Sequence, residues 1–217
     1  MRRAVALVVA KSPVVGAVKT RLGREVGMER AAELAAAALL DTLAVCVTAY
    51  GVDRCHLAVD GVLAHGQLAD ELLEATAGWT VHPQRGDGLA ERLVHAHQDA
   101  AAFSGAPVVQ VGMDTPHLHR DALLEAGALL TAPDAAVLGP AYDGGWWLLG
   151  VGGPHLLVHL PQVPMSTPRT GELTRQALVR AGARVRKIEP LRDVDEAVDA
   201  ESVATAAPAT RFAKSWR

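Results

Sequence analysis

The sequence predicts an α/β sandwich built on a mainly parallel sheet, and three observations lead there. Strand-like and helix-like segments alternate along nearly the whole chain. The strand candidates include continuous apolar, Val-rich runs, the pattern of strands buried on both faces. The 217 residues are 50% hydrophobic, enough apolar material for one well-buried core, and no internal repeat or low-complexity linker divides them. The expectation is a single three-layer α/β/α domain over residues 1–206, followed by a tail at 207–217.

The first strand candidate spans residues 5–10 and is apolar throughout. A loop containing Pro13 and Gly16 follows, then a long Ala/Leu segment at 29–49 with helical spacing, which Gly51 stops. Further strands are predicted over 55–59, 79–82, 107–111, 135–138, 146–151 and 184–188. Helices are predicted over 65–77, 88–103, 121–130, 171–181 and 196–206. The tail shows no clear period; it either stays loose or docks on a neighbour, and its Trp216 leaves a homodimer open.

Composition narrows the function. Charged residues make up 21% of the chain and the formal net charge is −3, with no Lys/Arg stripe, so a nucleic-acid partner is not expected. The apolar N-terminal run is too short for a signal peptide and ends in Lys11-Ser12-Pro13. No stretch reads as a membrane span, and a soluble, cytoplasmic chain is expected. Cys46 and Cys55 form no CxxC and fit buried, inert thiols.

Ligands of an open α/β sheet bind beyond the carboxyl ends of its strands, so the segments after each strand matter most. After the first strand, Gly16 permits a tight backbone path, and Lys19 and Arg21 offer two cations suited to a phosphate chain. A solvated surface loop is the competing reading, and Pro13 and Val18 stand where a P-loop needs glycine. After the 107–111 strand comes Asp114, placed either as a metal ligand or ribose contact or as a helix cap. His117 and His119 lie close by; surface or substrate contact suits them better than a transition metal, since no third soft ligand is near.

Asp143-Gly144-Gly145-Trp146-Trp147 joins two strand candidates. It is a hairpin turn, a pocket wall with Asp143 as its functional group, or both. Asp193 and Asp195 follow the last strand, and at i and i+2 on extended chain they point the same way and can share a hard divalent cation. Alternatively, Asp195 caps the closing helix. A phosphate charge brought within ~4 Å of one carboxylate costs about 4 kcal/mol at an effective dielectric of 20. Several aspartates around phosphates therefore need a bridging cation, and Mg²⁺ is the natural one.

Six segments, in order, resemble one known family. They are Ala10-Lys11-Ser12-Pro13 through Val18-Lys19-Thr20-Arg21-Leu22, the stretch 84–92, Gly112-Met113-Asp114-Thr115-Pro116, Leu138-Gly139-Pro140 with Asp143-Gly144-Gly145, Ser166-Thr167, and Asp193-Val194-Asp195. The chain resembles the DUF2064 family, related to the 2-phospho-lactate and molybdenum-cofactor guanylyltransferases. The resemblance implies a Rossmann-like sheet of the nucleotide-diphospho-sugar transferase (GT-A) fold. It implies that Ala10, Lys11, Ser12, Gly16, Lys19 and Arg21 cradle phosphates, with Gln84, Gly86, Asp87 and Gly88 near the base or ribose. It further implies that Asp114, Asp193 and Asp195 hold Mg²⁺ or Mn²⁺. Thr115, Trp146-Trp147 and Met165 depart from the family pattern, where Cys or Ser, Tyr-rich and Trp residues are usual; these changes bear on the acceptor.

The expected function is thus a Mg²⁺-dependent transferase. It moves a nucleotidyl or glycosyl group from an NTP or nucleotide sugar to a small-molecule acceptor, with Lys19, Arg21, Asp114 and Asp143 as catalytic candidates. A non-catalytic nucleotide sensor or scaffold is the alternative.

Overall fold

A computed structural model describes residues 3–217. The chain runs β1 (Val5–Lys11), α1 (Thr20–Val26), α2 (Met28–Tyr50), β2 (Cys55–Asp60), α3 (Ala69–Ala75), β3 (Thr80–Pro83), α4 (Leu89–Ser104), β4 (Val108–Val111) and α5 (Arg120–Leu129). It continues through β5 (Ala135–Pro140), β6 (Trp146–Val151), α6 (Thr170–Arg180), β7 (Arg184–Lys187), α7 (Ala197–Ala206) and α8 (Arg211–Trp216). The α/β sandwich is as predicted. Its seven strands lie in the order β3-β2-β1-β4-β6-β5-β7, and only β6 runs antiparallel to its neighbours. Strand order reverses direction between β1 and β4, which makes the crevice beyond their carboxyl ends the topological switch point.

Side-chain alternation along the strands builds two cores. Ala6, Val8, Val109, Val111 and Val137 face one layer, where they pack with Leu39 and Leu43 of α2 and Leu123 of α5. Leu7, Val9, Val108, Ala136 and Leu138 face the other, against Leu93 and Ala96 of α4 and Ala177 and Leu178 of α6. A third cluster extends the first layer outward: Leu22, Leu34, Val203 and Phe212 join α1, α2, α7 and α8. Phe212 is 1% exposed, and burying such a ring contributes roughly 1.5–3 kcal/mol.

This outer layer explains α2. Over 18 residues its mean hydropathy reaches 1.7, so by length and composition it is apolar enough to cross a membrane, against the expectation that no stretch is. Yet 67% of that window is buried inside the fold, because α2 has the sheet on one side and α1, α7 and α8 on the other. A helix with most of its surface covered is apolar over most of its circumference. Gly51 ends it at φ +82, and its N–H donates to Val47 O.

Three local readings change. The loop after β1 contains α1, whose seven residues carry Arg21, Arg24 and Glu25 and are interrupted by Gly23, so no apolar period shows. The 65–77 helix begins only at Ala69, after a 3-10 turn at Leu63–His65 and a left-handed Leu68 at φ 50. The 207–217 segment is docked on its own chain: α8 packs on α2, Thr210 caps it, and Trp216 Nε1 donates to Glu201 Oε2.

Candidate active site

A cavity of about 980 Å³ opens at the switch point. The end of β1 supplies Val9, Ala10 and Lys11; the turn after β4 supplies Gly112, Met113, Asp114 and Thr115. The start of α1 contributes Lys19 and Arg21, and the β5–β6 turn contributes Asp143. Asp193 and Asp195 line it too, on the segment between β7 and α7. These seven charged candidates, spread over nearly the whole sequence, line one cavity.

Lys19 is the hub. It precedes α1 in a left-handed conformation, φ 47, uncommon for a side-chain-bearing residue. Its Nζ lies 2.5 Å from Asp114 Oδ1 and 3.6 Å from Asp195 Oδ1, and it also donates to Val194 O. Arg21 Nη2 reaches Asp195 Oδ2 at 3.0 Å. Val194 is buried and its N–H donates to Asp114 O, which ties the Asp193–Asp195 segment to the end of β4. Burial alone would lower the Lys19 pKa, but the Asp114 carboxylate, with Asp195 and Asp193 behind it, raises it above its ordinary value. Burial together with the Asp114, Asp143 and Asp195 charges pushes Asp193 up to about 7, with Lys19 opposing. The cluster therefore holds more negative charge than its buried lysine neutralises.

Asp143 both shapes the hairpin turn and lines the cavity. Its Oδ1 accepts the Gly145 N–H at 2.8 Å within the hairpin, and it lines the cavity. Gly144 N–H and C=O clamp this turn: the former donates to Ala141 O, and the latter accepts from Gly171 N–H at 2.8 Å. Of the two tryptophans, Trp147 is buried with Nε1 donating to Glu189 O. Trp146 is half-buried, and its Nε1 donates to Thr174 Oγ1.

The remaining candidates divide. Gln84 and Gly88 line the cavity, Gly88 immediately before α4. The Gln84 amide is occupied, donating to Ala10 O and Ala58 O. Ser12, Gly16, Gly86 and Asp87 are not among the lining residues. Ser12 Oγ turns away to donate to Val62 O, and Asp87 N–H donates to Glu91 Oε2. Glu196, not Asp195, caps α7, in a reciprocal box with Asp199, which leaves the Asp195 carboxylate to Lys19 and Arg21. His119 precedes α5, while His117 lines a separate cavity of about 320 Å³ with Tyr142 and Arg192. Among the described residues, no three His, Cys, Asp or Glu side chains converge as a metal cage. Cys46 and Cys55 are free and buried, and burial pushes the Cys55 thiol up to about 12.

Among the lining residues to which the sequence reading gave no role are Arg92 and Gln110. Arg92 sits one turn into α4, and its Nη1 is 2.7 Å from Asp60 Oδ2. Gln110 lies within β4, and a lone amide in the apolar run Val-Val-Gln-Val was the available signal. Ser166 marks the cavity differently. With Lys19 and Leu68 it is one of three positive-φ non-glycine residues among those described, and both Ser166 and Lys19 line the cavity. Backbone strain gathers at functional sites.

The family model described as "Uncharacterized protein conserved in bacteria (DUF2064)" matches residues 42–167, more than half of the chain. The chain belongs to this family. Within the DUF2064 match lie Asp114 and Asp143; Lys19, Arg21, Asp193 and Asp195 lie outside it and join them only in the fold. A comparison with curated proteins finds no match. Among solved structures, a Desulfovibrio desulfuricans G20 protein provisionally named a nucleotide-diphospho-sugar transferase superposes with a TM-score of 0.82 at 26% identity. That match covers 100% of this chain and 93% of the other. CMP:2-keto-3-deoxy-manno-octonic acid synthetase complexed with CTP gives a TM-score of 0.56 at 15% identity, covering 95% and 99%. Rv0371c of Mycobacterium tuberculosis H37Rv, in complex with manganese, gives 0.50 at 16% identity, covering 93% and 98%. The last two likenesses establish the shared fold. The mostly parallel α/β fold of this chain matches that of the protein provisionally named a nucleotide-diphospho-sugar transferase.

Proposed function

We propose that this protein is a divalent-cation-dependent transferase. It binds an NTP or nucleotide sugar at the β1/β4 switch point and passes a nucleotidyl or glycosyl group to a small acceptor. The observation that carries this reading is the convergence of Lys19 and Arg21 with Asp114, Asp143, Asp193 and Asp195 on one cavity.

The donor set fits Mg²⁺ or Mn²⁺. All the carboxylates are hard oxygen donors, and the cluster carries excess negative charge. Asp114, with Asp193 and Asp195, would hold the ion once Lys19 moves aside. The ion would supply positive charge between carboxylates and phosphates.

The chain's own residues do the rest. Lys19, released from Asp114, and Arg21 neutralise phosphate oxygens beside the β1 loop. Gly88, at the start of α4, turns backbone N–H groups and the positive end of a 16-residue helix toward the ligand. For nucleotidyl transfer, an anionic acceptor oxygen attacks the α-phosphorus and pyrophosphate leaves, so positioning suffices. For glycosyl transfer, a hydroxyl attacks the anomeric carbon and the nucleoside diphosphate leaves. Asp143, which lines the same cavity, accepts the hydroxyl proton.

Thermal shift with NTPs and nucleotide sugars, with and without Mg²⁺, tests this, since a ligand bound only to the folded state raises its stability. The expected result is a Mg²⁺-dependent shift with one nucleotide, lost in Asp114→Ala. A shift unchanged in Asp114→Ala removes Asp114 from the site. No shift with any nucleotide overturns the reading.

A further inference from the structure

The smaller cavity, of about 320 Å³, lies at the lower end of the roughly 300–1,000 Å³ that small-molecule sites span. His117 lines it from the turn after β4, Tyr142 from the β5–β6 turn, and Leu191 and Arg192 from the segment between β7 and α7. Ser202 and Val203 of α7 close it. Backbone hydrogen bonds hold these walls together: Tyr142 N–H donates to Leu191 O, Leu191 N–H to Pro140 O, and Val194 N–H to Asp114 O. The cavity is therefore formed before a ligand arrives, which lowers the ordering cost of binding. The two cavities share these turns but not their residues. Tyr142 and Arg192 line the small one, and the next residues along the chain, Asp143 and Asp193, line the large one.

Among the described residues that line the small cavity, none carries a carboxylate, and Arg192 supplies a permanent positive charge. Its guanidinium is held from two sides. The central carbon sits 5.3 Å from the centroid of the Tyr142 ring, and Nη1 donates to Asp199 Oδ1 at 3.0 Å. Asp199 does not use up the fork, because its other oxygen accepts the N–H groups of Asp195 and Glu196 in the α7 cap. Arg192 Nε and Nη2 make no hydrogen bond within the chain, and neither do the Tyr142 and Ser202 hydroxyls. The Nδ1 of His117 is also without a partner. A fixed guanidinium with free donors matches paired anionic oxygens, and hydroxyls add neutral donors beside it. Leu191 and Val203 give the same cavity an apolar lining.

We propose that this second cavity is a binding site for a small organic anion, a carboxylate or phosphate head on a short apolar body. Arg192 pairs with the head, the Tyr142 and Ser202 hydroxyls donate to its remaining oxygens, and Leu191 and Val203 cover the body. Carboxylate and phosphate present the same paired anionic oxygens to Arg192. The site uses none of the residues assigned to the nucleotide, and its test needs no nucleotide.

The test is amide NMR of the ¹⁵N-labelled full chain, titrated at low salt with butyrate, butyl phosphate and butylammonium. The expected result is saturable shifts at Tyr142, Arg192 and Ser202 with at least one of the two anions, at a Kd of about 1 mM. The tighter anion names the head group. Butylammonium, with the same body and the opposite charge, should give no such shift. Arg192→Gln should weaken binding about tenfold, and Arg192→Lys by less, since lysine keeps the charge and loses the fork. Ser202 is exposed, so Ser202→Leu obstructs the mouth without disturbing the core, and it should abolish the shifts with Arg192 still in place. The amide spectrum itself shows whether each variant is folded, and Ser202→Leu decides the matter if Arg192→Gln is not. Equal shifts with butylammonium, shifts confined to Lys19 and Arg21 of the large cavity, no saturable shift with either anion, or binding that survives Ser202→Leu would each overturn the site.

Discussion

Lys19→Met should expose how much of this site is held by one ammonium. The Lys19 side chain is 9% exposed, whereas its partners Asp114 and Asp195 are 43% and 30% exposed. Removing one partner of a fully buried pair costs about 3–5 kcal/mol, because the other charge stays buried and unpaired. An exposed pair is worth about 0–1 kcal/mol. With one buried end and partly exposed carboxylates, the loss should lie between, at about 2 kcal/mol. For a chain of this size that lowers Tm by roughly 4–8 °C. The assay is thermal unfolding in EDTA, with methionine retaining much of the aliphatic stem. Adding Mg²⁺ should then stabilise the variant more than the wild type, since the cation no longer competes with Lys19 for Asp114 and Asp195. A variant whose Tm matches wild type in EDTA, with the same response to Mg²⁺, would refute the view that Lys19 neutralises this cluster.

Two further outcomes are expected. Gly144→Ala should cost about 3 kcal/mol in urea unfolding, since φ there is +88 and the new Cβ would lie 2.1 Å from Pro168 O; an unchanged midpoint would show that the turn carrying Asp143 is not clamped by the 167–171 segment. Burial holds His97 down at about 4 against an ordinary 6.5, so below pH 6.5 the unfolded chain takes up a proton that the folded chain refuses. The stability from neutral His97 is therefore complete above pH 6.5 and is lost as pH falls towards 4. Between pH 6.5 and 5 the loss is about 2 kcal/mol. His56, also held near 4 by burial and His82, adds the same sign, so the comparison must be with His97→Gln. An equal pH slope in wild type and that variant would exclude His97 as a source.

Much of this protein is legible without coordinates. Apolar runs at β1, β2 and β5 mark strands because a strand with helices on both faces has no polar side to show. Their alternation with helical segments determines the α/β class, and Lys19, Arg21, Asp114, Asp143, Asp193 and Asp195 stand out because charges beyond strand ends have no structural necessity there. What the sequence does not determine is set by contacts distant along the chain. The helices α1 and α8 carry too few residues for a period, and α8 is held by a face of α2 that the sequence does not reveal as a second interface. Lys19 and Asp114 are drawn together by the parallel pairing of β1 with β4, and Val194 is drawn to them by its bond to Asp114 O. Gln110 is an ordinary polar residue until β4 is paired on both sides and α4 closes over it. Local pattern determines which residues seek the interior and which the ends of strands; only tertiary packing decides which of them meet, since each burial cost is set by neighbours supplied from elsewhere in the chain.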